Sequence, residues 1–282
     1  MVILIPIVKL DNRNTFGVID AVPVEFVAVR LQDLVSERTF EFNKTFHDIV
    51  SAGGLHDFLG FSGSIILSLI MKDEIIANFR LEKYAFGINS LMPDYYTTTD
   101  GETYDGEYSL SLREIHRIHK ENTKLVRICP NCSPIGLVKG CTENQIELHI
   151  KLLKSLGITD FAFHVGDFFR HGRIDMIHKA RSFSHQIRRH TKFLILYGMG
   201  SQRRLVEFSF ADAYVTFNHF VTAMNGMKFA GTKKVKYTGG YDPAIIISNF
   251  VEMYKNVSSL NKQTKLYIES EIYGRRNQRK TA

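Results

Sequence analysis

The chain is short of cysteine and of long apolar runs. It has three cysteines, Cys129, Cys132 and Cys141, an odd number that supports no paired disulfide framework. Its longest apolar stretch, Ser64 to Met71, is far below the roughly 20 residues that a helix needs to cross a bilayer. The opening MVILIPIVKLDNRN carries neither a basic leader nor a small-residue cleavage site. The expectation is a cytoplasmic protein with no membrane association. A GxGxxG turn after the first strand is also missing, which removes the usual dinucleotide signature.

What is present is ordinary globular material: 282 residues, 44% hydrophobic and 23% charged. Such a chain can bury a sizeable core without a disulfide or a metal to staple it. The net charge of +7 is concentrated late in the chain, in Arg188-Arg189, Arg203-Arg204, Lys233-Lys234-Val235-Lys236 and Arg275-Arg276-Asn277-Gln278-Arg279-Lys280. A one-sided positive field attracts polyanions and suits contacts with a phosphate backbone, although a solvated basic surface reads the same way.

Short β-rich runs alternate with segments of helical period. Strands are expected at residues 2–8, 24–31, 64–69, 94–99, 124–128, 160–165, 192–197 and 212–217. Helices are expected at 109–122, 142–156, 174–190, 201–210 and 243–257, with Ser109 opening the first. Thr142-Glu143-Asn144-Gln145 forms a capping box on the second, and Gly157 ends it. Eight strands alternating with helices predict an α/β fold with a parallel sheet, either open and doubly wound or closed as a (β/α)8 TIM barrel. The barrel is preferred, as one domain over 1–272, with 273–282 a basic, disordered tail.

In a barrel the chemistry lies at the C-terminal strand ends. Those ends read Ser68, Asp100 with Thr103 and Tyr104, Lys139-Gly140, Gly166-Asp167, Gly198-Met199-Gly200 and Asn218-His219. Glycines there let a flat ligand approach the backbone, and a carboxylate such as Asp100 can accept from the N–H edge of a purine-like base. His164 and His219 are the histidines at strand ends; His178, His185 and His190 fall in a basic helical stretch.

Five segments, in order, resemble the tRNA-guanine transglycosylase family: AGGLHDFLGFSG from Ala52, TTTDGETY from Thr97, GLVKGCTENQIELHIKLLKSLGITDFAFHVGD from Gly136, YGMGSQRRLVE from Tyr197 and ADAYVTFNHFVTAMNGMKF from Ala211. The resemblance runs from about Asp20 to Lys236. It implies a (β/α)8 barrel that exchanges a guanine of tRNA or DNA for a 7-deazaguanine such as preQ0, preQ1 or queuine. One aspartate of the family attacks the anomeric carbon, a second is the acid/base, and a third acid with glycine amides holds the base.

Carried over by residue, Asp100 falls on the base-recognising acid and Gly166 on the loop whose backbone contacts the base. Lys139, Gly140, Met199 and Gly200 complete the expected base pocket, and Arg203, Arg204, Lys233, Lys234 and Lys236 would meet phosphates. Two acids of the family pattern are absent, with Ser68 and Val215 in their places. Asp167, Asn218 and Asp212 are the polar groups near enough in sequence to stand in, so Asp100, Asp167 and Asn218 are the catalytic candidates. The family's late zinc-binding cysteines are absent too; Cys129-Pro130-Asn131-Cys132 has no second pair, and no cofactor or metal is expected. Three readings follow: a divergent base-exchange enzyme, an inactive paralogue that binds nucleic acid or a deazaguanine and partners an active subunit in a homo- or heterodimer, and a barrel enzyme acting on a small phosphorylated substrate.

Overall fold

The structure, a computed structural model, describes residues 2–169, 173–200, 202–238 and 242–278, with only the backbone described at 202, 203 and 262–278. Eight parallel strands close into a barrel: β1 (Ile3–Val8), β2 (Phe26–Arg30), β3 (Ser64–Ser68), β4 (Tyr95–Thr97), β5 (Ser133–Leu137), β6 (Phe161–His164), β7 (Leu194–Tyr197) and β8 (Ala213–Thr216). Closure is made by β1 against β8, with Ile3 to Pro6 in register with Ala213 to Thr216. The helices in chain order are α1 (Gly17–Ala21), α2 (Lys44–Ala52), α3 (Leu55–Leu59), α4 (Asp73–Asn78), α5 (Leu81–Leu91), α6 (Tyr108–Ile128), α7 (Glu143–Ser155), α8 (Gly166–Phe169), α9 (Ile174–Arg188), α10 (Gln202–Glu207), α11 (Asn218–Met224) and α12 (Pro243–Gln278). A hairpin of β9 (Met227–Ala230) and β10 (Lys233–Lys236) stands between α11 and α12. No helix of the described residues is long and apolar enough to cross a membrane.

Successive strand residues alternate between two packed layers. Ile5, Ile7, Ala28, Ile66, Ile135, Leu137, Ala162, Ile195, Tyr197, Ala213 and Val215 fill the barrel interior, whereas Leu4, Val8, Val27, Val29, Ile65 and Leu67 pack outward against the helices. Seven strands lie where local pattern puts them. The eighth does not: Lys124–Ile128 is the last turn of α6, whose buried Ile115, Ile118, Asn122 and Leu125 continue a helical stripe through it. The strand is Ser133–Leu137 instead, masked by Pro134 and Gly136. Gly136 is required there, because a Cβ would come within 2.9 Å of both Leu153 on α7 and Phe161 on β6.

Thr142 caps α7 by accepting from the Gln145 N–H at 3.3 Å, and Gly157 follows the helix at φ +80°, both as expected. Ser109 is not the cap of α6, which opens one residue earlier after Glu107. Helix α12 runs through Gln278 and so takes in the first residues of the segment read as a separate tail; 279–282 lie outside the described residues.

The Gly-Gly-Leu-His segment sits at the N-terminal end of the barrel. Gly53 and Gly54, at φ +102° and +113°, end α2 and open α3. His56 Nδ1 donates to the Phe61 carbonyl at 2.8 Å, and Nε2 lies 3.0 Å from Asp94, which also accepts from the Ile65 N–H at 2.7 Å. The motif therefore anchors the starts of β3 and β4, away from the strand ends that carry chemistry.

Gly198 and Gly166 meet back to back at the other end. A Cβ on Gly198, at φ +84°, would lie 2.7 Å from the Gly166 Cα, whereas one on Gly157 would meet nothing. Gly157→Ala is therefore expected to cost about 1 kcal/mol from its left-handed backbone alone, and Gly198→Ala about 3 kcal/mol from backbone strain plus overpacking. Urea denaturation of the two variants checks the difference.

Candidate functional site

A cleft of about 1150 Å³ opens at the C-terminal mouth of the barrel, lined from every side by strand ends and the loops that follow them. Alternation decides which side chains form its floor. Arg30 is in phase with inward Phe26 and Ala28, Ser68 with Ile66, His164 with Ala162, Tyr197 with Ile195, and Phe217 with Val215; all line the cleft.

Asp100 arrives by a different route. β4 ends early, and the threonines after it replace missing ladder partners with side-chain oxygens. Thr97 Oγ1 accepts from Leu69 N–H and Thr98 Oγ1 from Leu137 N–H, each at 2.8 Å, while Thr99 bonds through N and Oγ1 to Asn122 Oδ1. This clamp delivers Asp100 to the cleft, buried at 8% side-chain exposure, with its Oδ1 2.6 Å from Lys139 Nζ and 2.8 Å from the Gly101 N–H. Both contacts fall on Oδ1, which leaves Oδ2 as the acceptor for a ligand. Lys139 is held in turn by His149, whose Nδ1 accepts the Lys139 N–H at 2.9 Å, so the imidazole proton is on Nε2. Complete burial pushes the His149 pKa down to about 3.

Around the rim, His164 Nδ1 faces Asp167 at 3.3 Å and Lys179 holds Asp105 at 2.6 Å. Glu102, beside Asp73, has its carboxyl raised by partial desolvation first and then by the Asp73 carboxylate that shares its hydrogen bond. Arg30 is clamped by Asp33, through Nε to Oδ2 at 3.0 Å and Nη2 to Oδ1 at 2.7 Å, and its guanidinium lies 4.4 Å over the Phe217 ring. Burial raises the Asp33 pKa more than Arg30 lowers it. The lining holds seven carboxylates against four lysine or arginine side chains, so the cleft itself is not a bed for a run of phosphates.

Of the expected site residues, Asp100, Lys139, Gly140, Asp167 and Ser68 share this cleft. Gly166 lies behind it, packed on Gly198. Met199 is fully buried in the outer core and does not line the cleft. Val215 points into the barrel interior, one layer beneath Phe217. Asn218 does not reach the cleft lining either: its Nδ2 donates to the Gly200 carbonyl, and its Oδ1 accepts from Lys234 at 3.1 Å and Thr222 at 3.2 Å. Asp212 is at the opposite end of the barrel, holding Leu194 N–H and Arg188.

Among the basic residues, Lys233 and Lys236 are exposed on the hairpin, which the Lys234–Asn218 bond ties to the mouth beside β8. Arg204 is engaged with Glu207 and stacked on Phe169, and the side chain of Arg203 lies outside the described residues. His219 is fully buried between Phe217 and Phe250, away from the cleft, and its pKa is pushed down to about 3 by burial. Cys129 and Cys132 are buried at the N-terminal end, near the start of β5, while Cys141 is at the mouth. Among the described residues no group of three or more His, Cys, Asp or Glu side chains is placed to hold a metal ion.

Arg30, Tyr197, Phe217, Glu102 and His149 are site residues that sequence reasoning passed over. For the first three a signal existed: a polar or aromatic side chain closing a strand in phase with its inward residues.

No protein-family model matches the sequence, and no curated protein matches it.

Two outcomes are expected. Lys139→Met, which leaves Asp100 buried without its cation, is expected to cost about 3 kcal/mol in urea denaturation, and adding Asp100→Asn to recover most of it. Because His149 and His219 stay neutral in the fold but bind protons when unfolded, stability is lost as pH falls from about 6.5 toward 3, by about 1.4 kcal/mol per pH unit for each. His219→Leu is expected to halve that slope in denaturation midpoints measured from pH 7 to 4.5.

Proposed function

We propose that the protein is a divergent transglycosylase-like protein that takes a guanine or 7-deazaguanine base of tRNA or DNA into the barrel mouth and exchanges one for the other. The observation that carries this reading is the meeting of Asp100, Lys139, Gly140 and Asp167 on one cleft, from two of the segments whose order resembles that family. Asp100 Oδ2 would accept from the N–H edge of the base, with Lys139 fixing the carboxylate. Asp167, exposed beside His164, is a cleft carboxylate that would meet a ribose.

Exchange balances without a redox partner. A carboxylate oxygen bonds to the anomeric carbon, the C–N glycosidic bond breaks and the guanine leaves with a proton. The incoming base then displaces the carboxylate and gives up its own proton. The exposed Lys233 and Lys236 on the hairpin are the groups that would hold phosphates beside the mouth.

A second reading, an inactive paralogue that binds the base and partners an active subunit, is favoured by Ser68 and the inward Val215, which supply no carboxylate where the family pattern has one.

Incubation with tRNA or duplex DNA carrying labelled guanine, plus preQ0, separates the two. Base exchange predicts label release that Asp100→Asn abolishes. No release at protein equimolar with substrate overturns exchange. PreQ0 binding by calorimetry that Asp100→Asn weakens would then favour the paralogue, and unchanged affinity would overturn the role of Asp100.

A further inference from the structure

The base-binding reading leaves one side of the cleft floor unused. Arg30 and Ser68 are partners in the register of β2 and β3, and both point inward. Tyr197 enters from β7, across the barrel, with its hydroxyl beside Ser68. Phe217 closes the same layer from β8 and carries the Arg30 guanidinium on its face.

Arg30 and the two hydroxyls together have donors to spare. Asp33 occupies Nε and Nη2 of Arg30, so the guanidinium is rigid and Nη1 forms no hydrogen bond among the described residues. Ser68 Oγ accepts from the Ile70 N–H at 3.3 Å and lies against the Tyr197 hydroxyl. The Tyr197 hydroxyl is the decisive group. The residue is only 3% exposed, and among the described residues its hydroxyl meets only the Ser68 hydroxyl, so the two groups share at most one proton and keep the other. A buried hydroxyl pair with an unused proton is costly, and the Tyr197 side chain stands in the cleft wall, where a small shift of the ring would bring its hydroxyl to a ligand acceptor.

Three donors approach from three strands, one of them cationic and held by a carboxylate and an aromatic face. A planar carboxylate offers two oxygens; a phosphate offers acceptors in a tetrahedral set that donors on separate strands can share. Of the cleft carboxylates, Glu37 is paired with Lys72, Asp105 with Lys179 and Asp100 with Lys139, which reduces the negative field that a phosphate meets.

We propose that Arg30, Ser68 and Tyr197 form a phosphate subsite, so that the cleft holds the phosphate of a nucleotide together with its base. The subsite stands on these three residues; that its nucleotide carries a guanine-type base rests on the reading of Asp100 above.

Calorimetry on the full chain with guanosine 5′-monophosphate, guanosine and inorganic phosphate tests it. The monophosphate is expected to bind at least about tenfold more tightly than guanosine, with inorganic phosphate competing against it. Tyr197→Phe, nearly isosteric, is expected to keep Tm within a few degrees. It should weaken the monophosphate about tenfold and leave guanosine unchanged, and Arg30→Gln should weaken the monophosphate further. A short single strand with a central guanine distinguishes the source of the phosphate: tighter binding than the mononucleotide points to nucleic acid, weaker binding to a free nucleotide. Equal affinity for guanosine and its monophosphate overturns the subsite and leaves the base reading standing. Binding of phosphate and the monophosphate without guanosine does the reverse. Absence of binding by all three overturns both.

Discussion

Closure of β1 onto β8 is the constraint from which the rest of this molecule follows. Once the sheet meets itself in parallel register, every strand must turn alternate residues into a narrow interior, and the last inward residue of each strand is forced to the mouth. The interior is apolar for two layers, with isoleucine and alanine predominating, and then changes character abruptly to arginine, serine, histidine, tyrosine and phenylalanine. That change marks the boundary between packing and chemistry.

The polar floor is stabilised by supports that never touch the cleft's contents. Asp33 holds Arg30 from the short 3-10 turn after β2, His149 holds the backbone of Lys139 from α7, and Asn122 on α6 holds the threonines that carry Asp100. Each support comes from the helix or turn that follows or flanks the strand it serves. The same crossover connections that bury the barrel's outer face therefore also fix the orientation of its mouth. The cleft thus has two chemically distinct sides: a carboxylate side around Asp100, Glu102 and Asp167, and a donor side around Arg30, Ser68 and Tyr197.

Most of the fold was legible in local pattern. Seven strands and the α7 cap lie where alternation and capping chemistry put them, because period-2 burial and an Asx- or Thr-type cap are properties of a few adjacent residues. The exception is instructive. Lys124–Ile128 looks like a strand by composition, but the helical stripe of α6 extends through it. Ser133–Leu137 hides behind a proline and a glycine whose reason is the close approach of Leu153 and Phe161. In the site, Asp100, Lys139 and Asp167 were readable as polar groups after strands. Met199 and Asn218 follow strands in the same way, yet one packs into the core and the other ties the hairpin to Gly200.

The sequence by itself determined the alternating strand and helix order, the placement of polar residues after strands, and the absence of carboxylates at Ser68 and Val215. These are carried by residue identity and near-neighbour periodicity. Only the tertiary structure decided which strand ends share one floor, that Asp100 is locked to Lys139, and that the Tyr197 hydroxyl crosses the barrel to meet Ser68. Those facts depend on closure between strands distant in the chain, and no local pattern carries that information.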